Sequence, residues 1–216
     1  NKTYDGNTVS TLDASSVAYS GLVGGDIFNG TYTGAFSDKN VGSNKTVTIN
    51  SITLADGSGL AANYSISAGQ TTTANITAKS LTVSGITGIN KVYDGNAVVT
   101  LDSSSVTYSG LVSGDSFVGA YSGVFANANV DTGKTVTITS SYSGSDVNNY
   151  VVTDQSTTTA NITARPAGVS GITVFGLSVN NKEYDGTVTA PLDTSSILYT
   201  GILPGDDVTG SYSGVF

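Results

Sequence analysis

The chain has 216 residues, a net charge of −8, and no Cys, His, Met or Trp. An acidic chain with isolated lysines lacks the basic stripe that phosphate contacts need, so nucleic acid is not an expected partner. Disulfides and thiolate metal sites are excluded, no Ser-His or Cys-His nucleophile pair can form, and one Glu among scattered Asp does not signal a paired-carboxylate glycosidase, so no enzyme activity is expected.

From the first residue onward, the chain opens on Tyr4-Asp5-Gly6. Asp-Gly between apolar runs predicts a tight hairpin, because Gly accepts positive φ. The stretch DASSVAYSGLVGGD (13–26) follows. Asp13 could cap a helix from Ser15, but Val17 and Tyr19 alternate and Gly21 interrupts, so strand plus turn is preferred to a short helix. FNGTYTGAF (28–36) places aromatic and Gly residues on one face of a strand, where rings can lie over the open glycine slots. KTVTI (45–49) and TTTANITA (71–78) alternate as half-buried strands, and the segment between them, NSITLADGSGLAANY (50–64), predicts a surface loop.

The series then starts again. LTVSGIT (81–87) puts Leu81 and Val83 on one face. Tyr93-Asp94-Gly95 and Tyr184-Asp185-Gly186 repeat the first marker at steps of 89 and 91 residues. Gly25-Asp26, Gly114-Asp115 and Gly205-Asp206 follow with the second Asp 21 residues after the first each time. FVGAYSGVF (117–125), with Phe117, Gly119, Tyr121, Gly123 and Phe125 on one face, recurs as VTGSYSGVF (208–216). In KTVTITS (134–140), Val136 and Ile138 face one side and the Thr residues the other, and Ile162 in the second TTTANITA (157–164) points opposite to Asn161 and Thr163, as in half-buried strands. This periodicity defines tandem copies of about 90 residues, each large enough for a modest core. Copy one covers 1–78 without its opening strand, copy two 79–165, and copy three the N-terminal half, 166–216, opening on AGVSGIT (167–173) after Arg165-Pro166. The fold class expected is all-β: antiparallel domains of Ig-like sandwich type arranged end to end, or a β-grasp-like unit with one short helix.

Candidate sites are few. The Asp pairs 5/26, 94/115 and 185/206 keep their spacing, and Asp94 and Asp115 are the candidates for calcium, although no D-x-D-x-D-G run exists and separate turn residues are preferred. No other cofactor is expected. Exposed Tyr108, Tyr142 and Tyr150, with Tyr121, would serve a sugar-stacking platform, whereas burial would make the aromatic-glycine strand a packing device. Lys91 and Asn161 could form an isopeptide bond. Gly133-Lys134-Thr135 mimics the end of a phosphate-binding loop but has Ala128 in place of its first Gly. Six N-x-S/T triplets, at Asn1, Asn29, Asn44, Asn63, Asn75 and Asn161, matter only in a host that glycosylates them. No run approaches a membrane-spanning helix, so no membrane insertion is expected, and no signal peptide is evident in the chain.

The ordered set KVYDGN, GLVSGD, YSGVF, NVGSNKTVTI and NY…TTTANITA resembles the YDG repeat domain. That family occurs in long arrays in bacterial surface adhesins, including filamentous-haemagglutinin-like proteins exported by two-partner secretion. The resemblance implies β-domains on the bacterial outer surface that act as stalk or spacer in cell or biofilm adhesion. The neighbouring repeats would be the partners and there would be no catalytic residues. The alternative is a module that itself binds surface glycans, polysaccharide or protein.

Overall fold

A computed structural model describes residues 1–166 and 171–216. The first four residues of the AGVSGIT segment lie outside the described residues. Copy one supplies β1 (Lys2–Thr3), β2 (Val9–Ser10), β3 (Asn29–Phe36), β4 (Gly42–Ala55) and β5 (Thr71–Thr77). Copy two supplies β6 (Lys79–Ser84), β7 (Thr87–Gly88), β8 (Lys91–Val92), β9 (Val98–Val99), β10 (Leu101–Asp102), β11 (Thr107–Ser109), β12 (Val118–Phe125), β13 (Asp131–Ser143), β14 (Tyr150–Thr153) and β15 (Thr157–Thr163). Copy three adds β16 (Thr173–Phe175), β17 (Ser178–Val179), β18 (Leu192–Asp193) and β19 (Leu198–Thr200).

The chain is therefore all-β. Among the described residues, helical backbone is confined to two 3-10 turns, Ala61–Asn63 and Val147–Asn149. The 13–26 stretch forms turns, and Asp13 accepts the Ser15 N–H at 2.9 Å in a side-chain-closed turn instead of capping a helix. Strand β11 forms in copy two because β6 lies beside it. Copy one has no described counterpart of β6, and its residues 18–20 stay unpaired.

Copies one and two each build a five-stranded sheet, in the orders β1-β5-β4-β3-β2 and β8-β15-β13-β12-β9. Most pairs are antiparallel, but β1 joins β5 and β8 joins β15 in parallel. A parallel pair needs a long crossover, and almost the whole copy lies between these two strands. The hydrophobic alternation is realised as expected: Val47, Leu81, Val83, Val136, Ile138 and Ile162 are buried while their Thr and Ser neighbours are exposed or half-exposed. The aromatic-glycine face also points inward. Phe117, Gly123 and Phe125 are buried, and Val118, Ala120, Ser122 and Val124 are exposed. A Cβ placed on Gly30 would run into the hydroxyls of Tyr19 and Tyr32, so two rings close that slot. The expected 50–64 loop is shorter than its sequence span, since β4 continues to Ala55 with a bulge between Thr33 and Gly34 of its β3 partner.

Two compact units result, and their limits do not follow the copy boundaries. The first holds 1–84 with 106–120 and 140–155; the second holds 85–105, 121–139 and 156–216. In the first, β6 lies between β11 (antiparallel) and β14 (parallel) in a sheet separate from that of copy one. In the second, Val99, Phe125, Val136, Ala160 and Ile162 form a core against Tyr93, Ala97 and Leu101.

Candidate functional site

Each Tyr-Asp-Gly marker is a turn closed by the Lys two residues before its Tyr. Lys2 Nζ lies 2.6 Å from Asp5, and Lys91 and Lys182 lie 2.7 Å from Asp94 and Asp185. The same ammonium donates across the turn to the carbonyl of Val9 at 3.1 Å or Val98 at 2.9 Å. The Asp carboxylate also accepts the N–H two residues on, at 3.2 Å from Asn7, 3.1 Å from Asn96 and 2.9 Å from Thr187. The Gly follows at φ +78°, +80° and +74°, a left-handed conformation that L side chains rarely adopt. The Lys91 and Lys182 contacts hold Asp94 and Asp185 below the usual carboxylate range. The turn reading of Asp-Gly is correct, but the flanking strands do not form a hairpin. β1 and β2 occupy opposite edges of one sheet, and the Lys ammonium, not a backbone ladder, ties them together.

The marker tyrosine leaves this turn and meets the next copy. Within the first unit Tyr4 is 1% exposed. Its hydroxyl donates to the Asp115 carboxylate at 2.8 Å, with the second oxygen at 3.0 Å. Tyr150 donates to the same carboxylate at 2.5 Å and accepts the Val112 N–H at 2.9 Å. The Tyr4 and Tyr150 rings meet edge to face, 5.6 Å apart. Lys39 pairs with Asp115 at 3.1 Å and with Asp146 at 2.8 Å, and Asp146 also accepts the Ser116 N–H at 2.9 Å. Asn149 accepts the Val41 N–H at 2.9 Å and donates to the Asn40 side chain at 3.2 Å. The two carboxylates thus share one ammonium, and Asp115 also accepts from both phenols. The Lys39 contact, then the Ser116 N–H, hold Asp146 down at about 2. Burial, then the Asp115 hydrogen bond, push Tyr150 up to about 12 and raise Tyr4 above its ordinary value. Lys39 is raised by Asp146, Tyr4 and Asp115.

The second unit repeats the pairing in simpler form. Tyr93 donates to Asp206 at 2.6 Å, and Leu203 lies against Gly95 as Val112 lies against Gly6. The position matching Lys39 is Ala128. In copy one, Asp26 keeps only the internal half of the arrangement: Tyr64 donates to it at 2.8 Å and accepts the Val23 N–H at 3.0 Å. Tyr184 is 98% exposed.

The sequence-derived candidates fall as follows. Asp94 and Asp115 belong to different units and are each paired with a lysine. No group of three potential metal ligands occurs among the described residues. Tyr108, Tyr142 and Tyr150 pack with Phe117, whose ring lies 5.2, 5.1 and 5.8 Å from theirs. The Tyr108 hydroxyl accepts the Gly119 N–H at 3.1 Å, and Tyr142 donates to Asp154. Tyr150 is buried, and Tyr108, Tyr121 and Tyr142 are half-buried. Lys91 and Asn161 address different partners: Lys91 binds Asp94, Asn96 and Val98, and the Asn161 side chain accepts the Gly133 N–H. Gly133-Lys134-Thr135 lies within strand β13, which cannot cradle a phosphate as a loop before a helix does. No described helix is long and apolar enough to cross a membrane.

The pairing of one copy's tyrosine with the next copy's aspartate was missed from the sequence. Its trace was present in the near-equal separations of 111 residues for Tyr4–Asp115 and 113 for Tyr93–Asp206.

No curated protein and no solved structure matches the chain. The model of the YDG domain matches it twice in succession, over residues 1–74 and 77–160. These two stretches contain the first two lysine-closed turns and the aspartate that receives Tyr4, and on them the chain belongs to the YDG domain family.

Proposed function

We propose that the chain is a structural spacer of a bacterial surface adhesin, built from small sandwich-like repeats arranged end to end that hold an adhesive region away from the cell. The observation that carries this reading is the seating of the Tyr-Asp-Gly tyrosine of one copy on the Gly-Asp turn of the next, seen at Tyr4–Asp115 and again at Tyr93–Asp206. A contact repeated in this way joins neighbours only, so length and stiffness grow one copy at a time. Support also comes from the tyrosines that a glycan platform would display: they are spent on packing around Phe117 and on hydrogen bonds to the protein's own groups. The net charge of −8 would keep neighbouring stalks apart. The reading places the chain outside the cell and involves no catalytic step.

Solution scattering on chains of two, three and four copies tests it. The expected result is a maximum dimension that rises by one constant step per copy, unchanged by calcium or chelator. A compact particle whose size does not follow copy number would overturn the spacer. Saturable binding on a glycan array would transfer the assignment to an adhesive module.

A further inference from the structure

Within the first unit, Lys39 comes from the loop between β3 and β4 of copy one, and Asp115 and Asp146 come from the turns of copy two that receive it. The Asp115 and Asp146 side chains are 3% and 10% exposed, so water screens little of their charge. Their Oδ1 atoms lie 3.1 and 2.8 Å from the one Nζ. Two carboxylates held this close and this dry need a cation between them, and removing it leaves like charges facing each other.

The two copies close the receiving turn with different chemistry. In copy two the Ser116 N–H goes to the Asp146 carboxylate at 2.9 Å. In copy one the matching N–H, that of Ile27, goes to the neutral Ser58 hydroxyl at 2.9 Å. Leu60 precedes the 3-10 turn of copy one where Asp146 precedes that of copy two. A second carboxylate is thus not needed to build the turn. The docking loops differ in the same sense. Copy one presents Asp38-Lys39-Asn40-Val41, and copy two presents Asn127-Ala128-Asn129-Val130.

We propose that Lys39 and Asp146 are a matched pair that selects which copy docks on which: a receiving turn of the Asp146 type takes a copy whose β3–β4 loop carries lysine and rejects one whose loop carries alanine. Copy two therefore accepts copy one and discriminates against a second copy of itself. Ala128 in the place of Lys39 would leave Asp115 and Asp146 without their shared ammonium, whereas Asp115 alone is satisfied by the Tyr4 and Tyr150 hydroxyls. The tyrosine–aspartate contact recurs at Tyr4–Asp115 and Tyr93–Asp206 and carries no such choice. The charge pair adds the choice by penalising the wrong neighbour. The inference rests on the spacer reading in that copies dock in series, and it gives that series an order.

The test is a double-mutant cycle in the full chain. Lys39→Ala gives copy one the loop residue of copy two, and Asp146→Ser gives copy two the neutral acceptor of copy one. The readout is hydrogen exchange at the Val41 amide, whose bond to Asn149 Oδ1 joins the two copies, followed by NMR at neutral pH. Exchange is expected to be at least tenfold faster in Lys39→Ala than in the parent chain. The same change should alter exchange less than threefold once Asp146→Ser is present. A Lys39→Ala chain that does not fold, beside a double variant that does, also supports the pair. Equal acceleration by Lys39→Ala in both backgrounds would overturn the proposal, as would a double variant that exchanges faster than Lys39→Ala alone or does not fold. Scattering of tandem copies tests serial docking separately. A constant step without coupling keeps the spacer and removes the selection, and coupling without a constant step does the reverse.

Discussion

Tyr4 joins the first junction through both its ring and its hydroxyl. It buries a whole ring and places its hydroxyl on a carboxylate shared with Tyr150 and Lys39. Tyr4→Phe keeps the ring and removes a hydrogen bond to a charged group, so a loss of about 1.5–3 kcal/mol is expected in chemical denaturation. The equivalent change at half-buried Tyr93 should cost less. The same cluster sets a pH window. Asp146, at about 2, lies below its ordinary 3.8, so its contribution is complete above about pH 4 and disappears as pH falls toward 2. Tyr150, at about 12, lies above its ordinary 10.0, so its contribution is complete below about pH 10 and is lost as pH rises through 12. The thermal midpoint should therefore form a plateau bounded by these two limbs. In Lys39→Met the acid limb should flatten, because Asp146 returns toward its unfolded-state value.

At the level of the strand, the aromatic-glycine ribbon depends on the absence of side chains at defined points. A Cβ on Gly123 would lie 2.8 Å from a Val99 methyl, 2.9 Å from one of Leu101 and 3.0 Å from one of Val136. Gly123→Ala should cost about 1–3 kcal/mol through overpacking, measured by denaturant titration with unchanged slope. This strand was legible in the sequence because alternation is a local rule. Two residues apart on the chain means the same face, so Phe117, Gly123, Val136 and Ile162 could be placed inward without knowing their partners. Edge pairing was not legible. The two residues each of β1 and β8 carry no pattern that says which strand they join or in which direction. Lys39 was equally silent: its role exists only where Asp115 and Asp146 converge, and copy two has Ala128 in its place.

For the whole molecule, the copies seen in the sequence and the compact units seen in space are out of phase, since each unit takes residues from two consecutive copies. The sequence shows the period clearly, whereas the packing boundary depends on contacts across more than 100 residues that no local pattern encodes. One expectation follows for proteolysis. Tyr4 and Tyr93 are engaged on Asp115 and Asp206, and Tyr184 is almost fully exposed. Limited chymotrypsin digestion read by mass spectrometry should cut after Tyr184 well before it cuts after the other two, because cleavage follows the cost of local opening. Slower cleavage at Tyr184 than at Tyr93 would contradict this view of the third copy.

The phase difference also bears on how such genes can change length. Unequal recombination between copies joins a point in one to the matching point in the next, so a marker tyrosine followed by a further copy still lies about 110 residues before an aspartate able to receive it. Gain or loss of a whole period leaves no severed junction in the array, and selection on length can act without first repairing the fold.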